Sequence, residues 1–139
     1  MTIKHKILLN YIKDLSVETP DPESLIAARE NISKYSLKLD LNSKVLKNRM
    51  IEVHTRLSYE DKINKKKTYF EMTYATIVRI EEKNPNSEEL KKFILCDLQI
   101  QIYPKIQKTF VEILKLSGFP ELHLKSSIDF NKLYNEKKN

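Results

Sequence analysis

The fold is organised around residues 87–117, which read SEELKKFILCDLQIQIYPKIQKTFVEILKLS. Apolar residues recur at every fourth position of this segment, forming one unbroken row: Leu90, Ile94, Leu98, Ile102, Ile106, Phe110 and Leu114. A second apolar set lies between them: Phe93, Ile100, Tyr103, Val111, Ile113 and Leu116. A helix that is apolar over so much of its circumference must be covered on more than one side. We therefore expect a core helix, packed between its own sheet and another subunit.

The ends of this helix are marked by ordinary capping signals. Ser87 is followed by two glutamates, an N-cap with acids in the first turn, and Gly118 with Pro120 predicts the stop. Pro104 lies inside the segment and cannot donate a backbone hydrogen bond. We expect a kink there, or a break into two helices near residues 101–103.

Four upstream segments alternate between apolar and polar residues with period two, which is typical of half-buried strands. They cover about residues 6–18, 34–42, 50–60 and 67–81, and the polar run 60–67 predicts a hairpin tip. A short helix follows downstream at about 129–136, with Asp129 as its N-cap. The fold class is therefore α+β: a four-stranded antiparallel sheet, with the long helix and the short C-terminal helix on one face.

The first strand and the connection after it give more specific expectations. We place these strand residues on the inner face: Ile7, Leu9, Tyr11, Leu15 and Val17. These are placed on the solvent face: Asn10, Asp14, Ser16 and Glu18. The connection 19–34 predicts a short helix, with Asp21 as its cap and Pro22 at its first position.

Composition limits the class of protein further. The chain has 139 residues, enough for one domain (1–139) with a real core, and a formal net charge of +6 spread over lysines mixed with acids. No apolar run approaches the length of a membrane span, and the N-terminus lacks the features of a signal peptide, so we expect a cytoplasmic protein.

Nothing in the sequence predicts an enzyme. The chain's only cysteine, Cys96, permits no intrachain disulfide, and a single glycine excludes glycine-rich phosphate loops. The three histidines are scattered, and His54 beside Glu52 forms no zinc motif. Asp14 and Glu18 could form a carboxylate pair but are better explained as surface. We expect no catalytic residue, metal or cofactor.

Four motifs in order give the chain a family resemblance. Residues 11–20, YIKDLSVETP, resemble the opening strand of the bacterial protein-export chaperone SecB, and KLDL at 38–41 resembles its second strand. Pro104 with the helix that runs into FPELHL at 119–124 is similar to the family's helix and loop. Ile128-Asp129-Phe130 with Leu133-Tyr134 is similar to its closing helix. The resemblance covers about residues 7–135.

The resemblance implies an assembly and an activity. Strands of two subunits would form an eight-stranded sheet, and two such dimers would stack through their long helices as a homotetramer, a dimer of dimers. Phe70, Met72 and Tyr74 would lie against the helix layer, at the oligomer interface. The implied activity is that of an ATP-independent holdase, which keeps secretory precursors unfolded and delivers them to the translocase motor SecA.

The resemblance also implies two sets of contact residues. Asp14, Glu18, Tyr69 and Glu71 match the family's acidic motor contact, and the strand phasing independently places all four on the solvent face. An ordinary solvated surface is the alternative. The proposed client groove comprises Leu37, Leu39, Leu41, Leu124, Phe130 and Leu133, although apolar residues at these spacings more often form core.

Some features depart from the family, and other functions stay open. The family is usually acidic and has an acidic C-terminal extension, whereas this chain is basic and ends at residues 136–139 with EKKN, which leaves the secondary motor contact in doubt.

A SecB-like chaperone dedicated to one partner, such as an antitoxin, is the close alternative. A basic nucleic-acid-binding protein ranks low, because the predicted open sheet face carries acids and one aromatic, Tyr69.

Overall fold

Four antiparallel strands form one sheet in the order β1-β4-β3-β2. The strands are β1 (His5–Glu18), β2 (Tyr35–Val45), β3 (Met50–Asp61) and β4 (Tyr69–Ile80). The computed structural model describes residues 3–61, 68–119 and 128–138, so most of the predicted hairpin tip at 60–67 lies outside the described residues. The predicted α+β class with an antiparallel sheet is confirmed.

One helix lies in the connection between the two edge strands, β1 and β2, and the other helices follow β4. They are α1 (Pro22–Glu30), a single 3-10 turn (Ile32–Lys34), α2 (Ser87–Lys92), a π-helical turn (Phe93–Asp97), α3 (Leu98–Leu116) and α4 (Phe130–Lys138). The backbone N–H of Ser24 donates to the Asp21 carboxylate at 2.7 Å, so the predicted cap of α1 is present. The N–H of Lys132 donates to Asp129 at 3.0 Å and caps α4 in the same way.

The predicted break of the long helix near residues 101–103 is wrong. Pro104 lies inside α3, which runs without interruption from Leu98 to Leu116. Ile100, whose carbonyl loses its donor to the proline, is 52% exposed, and Pro104 is exposed as well. Water can therefore satisfy that carbonyl, and the proline is tolerated in the helix.

The irregular turn lies earlier, at Phe93–Asp97, where the N–H of Leu98 donates to the carbonyl of Phe93 five residues back. A π turn holds more residues than an α turn, so it offsets the drift of the apolar row between Ile94 and Leu98. Six members of the row are buried: Leu98, Ile106, Phe110 and Leu114 fully, and Ile94 and Ile102 to at most 8% exposed.

The inner faces of β3 and β4 supply the other half of the core. Phe70 and Met72 are fully buried and Tyr74 is 6% exposed, all within the single chain and on the face that carries the helices. One chain already buries these three side chains, and their place at an oligomer interface stays a prediction. Gln99 of α3 donates to Thr55 of β3 at 3.1 Å, which satisfies two buried polar groups between the layers.

β1 departs from the predicted phasing because it contains two bulges, between Ile7 and Leu9 and between Ile12 and Asp14. Directly opposite residues of antiparallel strands share a face. Asn10 lies opposite Thr76 and accepts a 2.9 Å hydrogen bond from it on the inner face. Leu9 and Tyr11, predicted inside, therefore lie on the outer face, and the prediction of Asn10 outside is also wrong. After the second bulge the predicted phase returns.

Candidate functional site

The acidic residues of the predicted motor contact come together at one end of the outer sheet face. Glu18 lies directly opposite Tyr69, and Ser16 lies directly opposite Glu71. Asp14 lies opposite Thr73, the next outward position of β4. All four predicted residues therefore share one face and one end of the sheet, on two neighbouring strands.

The charges in this cluster differ in how they are compensated. Glu71 accepts from Arg56 at 2.5 Å, and its side chain is 26% exposed. Asp14 and Glu18 are exposed and form no ion pair with any residue that the structure describes. Tyr69 lies 3.3 Å from the Ser16 hydroxyl. The unpaired negative charge of this acidic patch (Asp14, Glu18, Tyr69 and Glu71) therefore comes from the two carboxylates of β1.

Glu52 holds a polar network at the middle of the same face. Tyr11 donates to its carboxylate at 2.6 Å, and Lys13 and His54 both contact its other oxygen. His54 also lies 3.3 Å from Asn42, on β2. Lys13 is the unpaired residue of the second bulge, and Tyr11 lies between the two bulges. The sequence showed Glu52 beside His54, but an alternating strand cannot place Tyr11 and Lys13 against them.

The network changes the pKa values of its titratable side chains. Hydrogen bonds from Lys13, Tyr11 and His54 lower the pKa of Glu52 to about 2. The hydrogen bond to Glu52 raises the pKa of Lys13 above its ordinary value. A carboxylate whose pKa is lowered on folding stabilises the fold above its unfolded pKa of about 4.3, and this contribution is lost as the pH falls through the folded value.

A Glu52→Gln variant should show this dependence directly. We expect a loss of about 1–2 kcal/mol in the free energy of unfolding at pH 7, because the variant gives up hydrogen bonds to a charged group. The difference from the wild type should shrink as the pH falls from about 4.5 toward 2. Urea unfolding at several pH values measures it, with Glu112→Gln on a helix, 61% exposed, as the matched control. A loss that does not change between pH 7 and pH 2.5 would contradict this assignment.

An apolar cleft of about 400 Å³ opens beside β2, on the opposite face of the sheet. Three predicted client residues of β2 (Leu37, Leu39 and Leu41) and one of α4 (Leu133) line it. The remaining lining residues are Lys38, Leu95, Ile128 and Tyr134. The structure therefore brings together four of the six residues predicted for the client groove.

The other two predicted groove residues are not in this lining. Phe130 is 3% exposed and packs edge-on against Tyr103, with ring centroids 5.3 Å apart, so it supports α4 from beneath. Leu124 lies outside the described residues. Cys96 donates to Asn131 at 3.0 Å and fixes the other side of α4. These contacts, together with the buried ring of Tyr134, help to hold α4 beside the cleft.

A second cleft of about 390 Å³ continues the first toward the far end of β2. Leu41 and Leu95 belong to both, and the second is lined further by Val45, Ile51, Leu90 and Ile94, with Asn42, Ser43, Ser87 and Lys91 at its rim. The strand prediction ended at residue 42, although Val45 continues its alternation in phase with Leu41. We call the two clefts together the β2 groove.

Apolar side chains remain exposed outside the groove, mainly on β1 and the long helix. Ile12 and Leu15 face inward at the free edge of the sheet, yet they are 43% and 45% exposed. On α3, Ile100 is 52% and Leu116 is 87% exposed. Within the described part of the chain, no helix combines the length and apolar character needed to cross a membrane.

Comparison with known proteins agrees with this architecture. A family model described as preprotein translocase subunit SecB matches residues 2–139. The putative protein-export protein SecB of Pelagibacter ubique (strain HTCC1062) is 44% identical over 100% of both chains. The protein-export protein SecB of Parvibaculum lavamentivorans is 29% identical, over 95% of this chain and 77% of its own. That of Rickettsia bellii is 30% identical, over 91% and 83%.

A solved structure shows the same fold. The SecB-like chaperone of Mycobacterium tuberculosis, in complex with a peptide from the HigA1 antitoxin, superposes with a TM-score of 0.68 at 13% identity, covering 89% of this chain and 88% of its own. The fold is therefore that of the SecB-like chaperones. The chain itself belongs to the SecB family, whose curated members are named for protein export.

Proposed function

We propose that this protein is an ATP-independent holdase, which keeps secretory precursors unfolded and delivers them to the translocase motor SecA in the cytoplasm. The observation that carries the proposal is the β2 groove. It is apolar along two connected clefts of about 400 and 390 Å³, and it lies beside a strand at the edge of the sheet. An open apolar groove of this kind is what a binder of unfolded chains requires.

The groove explains why such binding would be independent of client sequence. Leucine and isoleucine side chains gain free energy from any apolar residue they cover, because the hydrophobic effect is non-directional. The outer edge of β2 has no strand partner among the described residues, so its backbone groups can pair with an extended client chain. Neither interaction consumes a nucleotide.

Delivery to the motor would use the acidic patch on the other side of the sheet. Asp14 and Glu18 are exposed and unpaired in the described structure, and a basic segment of the motor could bind them. Because the β2 groove and the acidic patch occupy opposite faces, a client and the motor can be held at the same time.

A homotetramer, as a dimer of dimers, would cover the apolar surface that the single chain leaves exposed. The outer edge of β1 has no strand partner among the described residues, so a second subunit could extend the sheet there and cover Ile12 and Leu15. Ile100 on α3 would be covered by stacking of the long helices. This assembly would also cover the side of the long helix α3 that faces away from its own sheet.

A refolding assay tests the proposal. A secretory precursor is diluted from urea in the presence of the protein, and its tryptophan fluorescence is followed; the chaperone contains no tryptophan, so the signal reports the client alone. We expect refolding to slow in proportion to the chaperone added, equally with and without ATP. An unchanged refolding rate at tenfold excess would overturn the proposal.

A chaperone dedicated to one partner is the second candidate, and one observation favours it. The structural neighbour from Mycobacterium tuberculosis is in complex with an antitoxin peptide, so this fold can bind a client of that kind. Repeating the refolding assay with three unrelated precursors separates the two functions. A general holdase slows all three, whereas a dedicated one slows none of them.

A further inference from the structure

The first bulge of β1 creates a second exposed patch on the outer sheet face, at the end opposite the acidic patch. The bulge turns Leu9 outward, where it is 54% exposed and lies directly opposite Ile77 of β4. Met50 of β3 lies on the same face, opposite Arg79. Leu9, Ile77 and Met50 form a small apolar area on the outer sheet face, and neither the proposed holdase function nor the proposed motor contact uses it.

Two cations flank these apolar residues. Lys6 lies directly opposite Arg79, and like charges in that position of an antiparallel pair destabilise each other. Arg79 approaches Glu81 only to 3.8 Å, and its side chain is 42% exposed, so this ion pair contributes little. Lys6 is exposed and forms no ion pair with any described residue. An acidic partner would relieve this repulsion.

We propose that this basic–apolar patch (Lys6, Leu9, Met50, Ile77 and Arg79) binds an extended acidic segment of a partner protein. An apolar side chain of the segment would lie on Leu9 and Ile77, and the carboxylate two residues away, on the same face of the extended segment, would bind Arg79 and Lys6. A guanidinium binds a carboxylate in bidentate fashion, which fixes the register of the segment. This site goes beyond the holdase and motor functions, because it has the opposite charge to the acidic patch and lies on the opposite face from the β2 groove.

The charge distribution favours a peptide segment over a membrane surface. The same sheet face carries Asp14, Glu18 and Glu71 at its other end, whereas Glu52, directly opposite Ile77, is paired with Lys13. A flat anionic bilayer laid against this face would meet the carboxylates of Asp14 and Glu18 as well and be repelled, whereas a short segment contacts only the end that carries Lys6 and Arg79.

A labelled peptide tests the proposal on the full chain. The probe is a fluorescein-labelled, end-capped decapeptide built on the repeat Asp-Asp-Leu-Leu, followed by anisotropy at physiological salt. In an extended chain, residues two apart share a face, so this repeat presents aspartate and leucine together to the patch. We expect Lys6→Glu with Arg79→Glu to weaken binding at least tenfold, and Leu9→Ser to weaken it several-fold. The matched double reversal Lys34→Glu with Lys105→Glu, which has the same net charge and lies outside both clefts, should change binding less than twofold.

Other occupants give distinguishable results. Equal weakening by both double reversals would show general electrostatic attraction and overturn the site. Weakening by Leu39→Ser would place the peptide in the β2 groove and overturn it as well. Binding to phosphatidylglycerol vesicles that depends on Lys6 and Arg79, without peptide binding, would replace the peptide by a membrane. Self-association lost in Lys6→Glu with Arg79→Glu, again without peptide binding, would assign the patch to a second copy.

Discussion

Binding to SecA should fall at least a hundredfold when Asp14 and Glu18 are both replaced by lysine. These are the two carboxylates of the acidic patch without an ion-pair partner among the described residues, and both are exposed. The double variant reverses the sign of the patch, so a basic segment of the motor would meet two like charges there. Titration of labelled SecA at low and physiological salt measures the effect.

The control for this prediction separates a local contact from a change of overall charge. Glu112→Lys with Glu136→Lys changes the net charge by the same amount, but both residues are exposed on helices away from the outer sheet face. It should retain SecA binding within about twofold of the wild type. Equal loss in both double variants would mean that net charge governs the interaction, and the acidic patch would then be ordinary surface. Circular dichroism and the oligomer mass should stay unchanged in both.

Client binding should fall at least tenfold in a Leu39→Glu, Leu133→Glu double variant. The two leucines line the same cleft from β2 and α4, and both are partly exposed, so the chain can fold with glutamates there. An apolar client segment would have to desolvate two carboxylates to occupy this part of the groove, and such burial is costly. The affinity for a labelled unfolded polypeptide reports the loss.

Two exposed apolar residues outside the groove provide the matched control. Ile26 on α1 is 58% exposed and Leu116 at the end of α3 is 87% exposed, and neither lines either cleft. Their double replacement by glutamate should weaken client binding less than twofold. If this control loses as much affinity as the groove variant, clients bind apolar surface in general rather than the β2 groove.

Alternation along the chain predicted β2, β3 and β4 well, because each of them buries one face against the helices. Phe70, Met72 and Tyr74 are buried within one chain, on the face that carries the helices. Their place at an oligomer interface stays a prediction, because a sequence does not say how many subunits share a core. The row of apolar residues at every fourth position predicted the buried side of the long helix, since only that side meets the sheet.

The features missed by the sequence analysis are local changes of phase. A bulge adds one residue to a strand, and it does not require a particular residue type there. The sequence of residues 6–18 therefore does not predict that Leu9 and Tyr11 face outward. The Glu52 network depends on both bulges and was missed for that reason. No sequence motif predicts the π turn either. Proline does predict a helix break, but Pro104 lies within a continuous helix because Ile100, whose carbonyl loses its hydrogen bond, is exposed to water.

The site residues could be predicted only as far as the phasing was correct. Asp14, Glu18, Tyr69 and Glu71 share a face because the register after the second bulge matches simple alternation. The β2 groove was found in part, because Leu37, Leu39 and Leu41 alternate along one strand. Its continuation past Val45 to Leu90 and Ile94 joins residues about 45 positions apart, and only the folded chain brings these together.

The most direct test of the holdase function is the binding of one labelled polypeptide in two states. Fluorescence anisotropy at physiological salt compares a permanently unfolded form with its native counterpart. We expect the unfolded form to bind with at least a hundredfold higher affinity, because only an unfolded chain presents apolar side chains and free backbone groups to the β2 groove. Equal affinity for the two forms, or no binding of either, would contradict the proposal that this member of the SecB family holds unfolded clients.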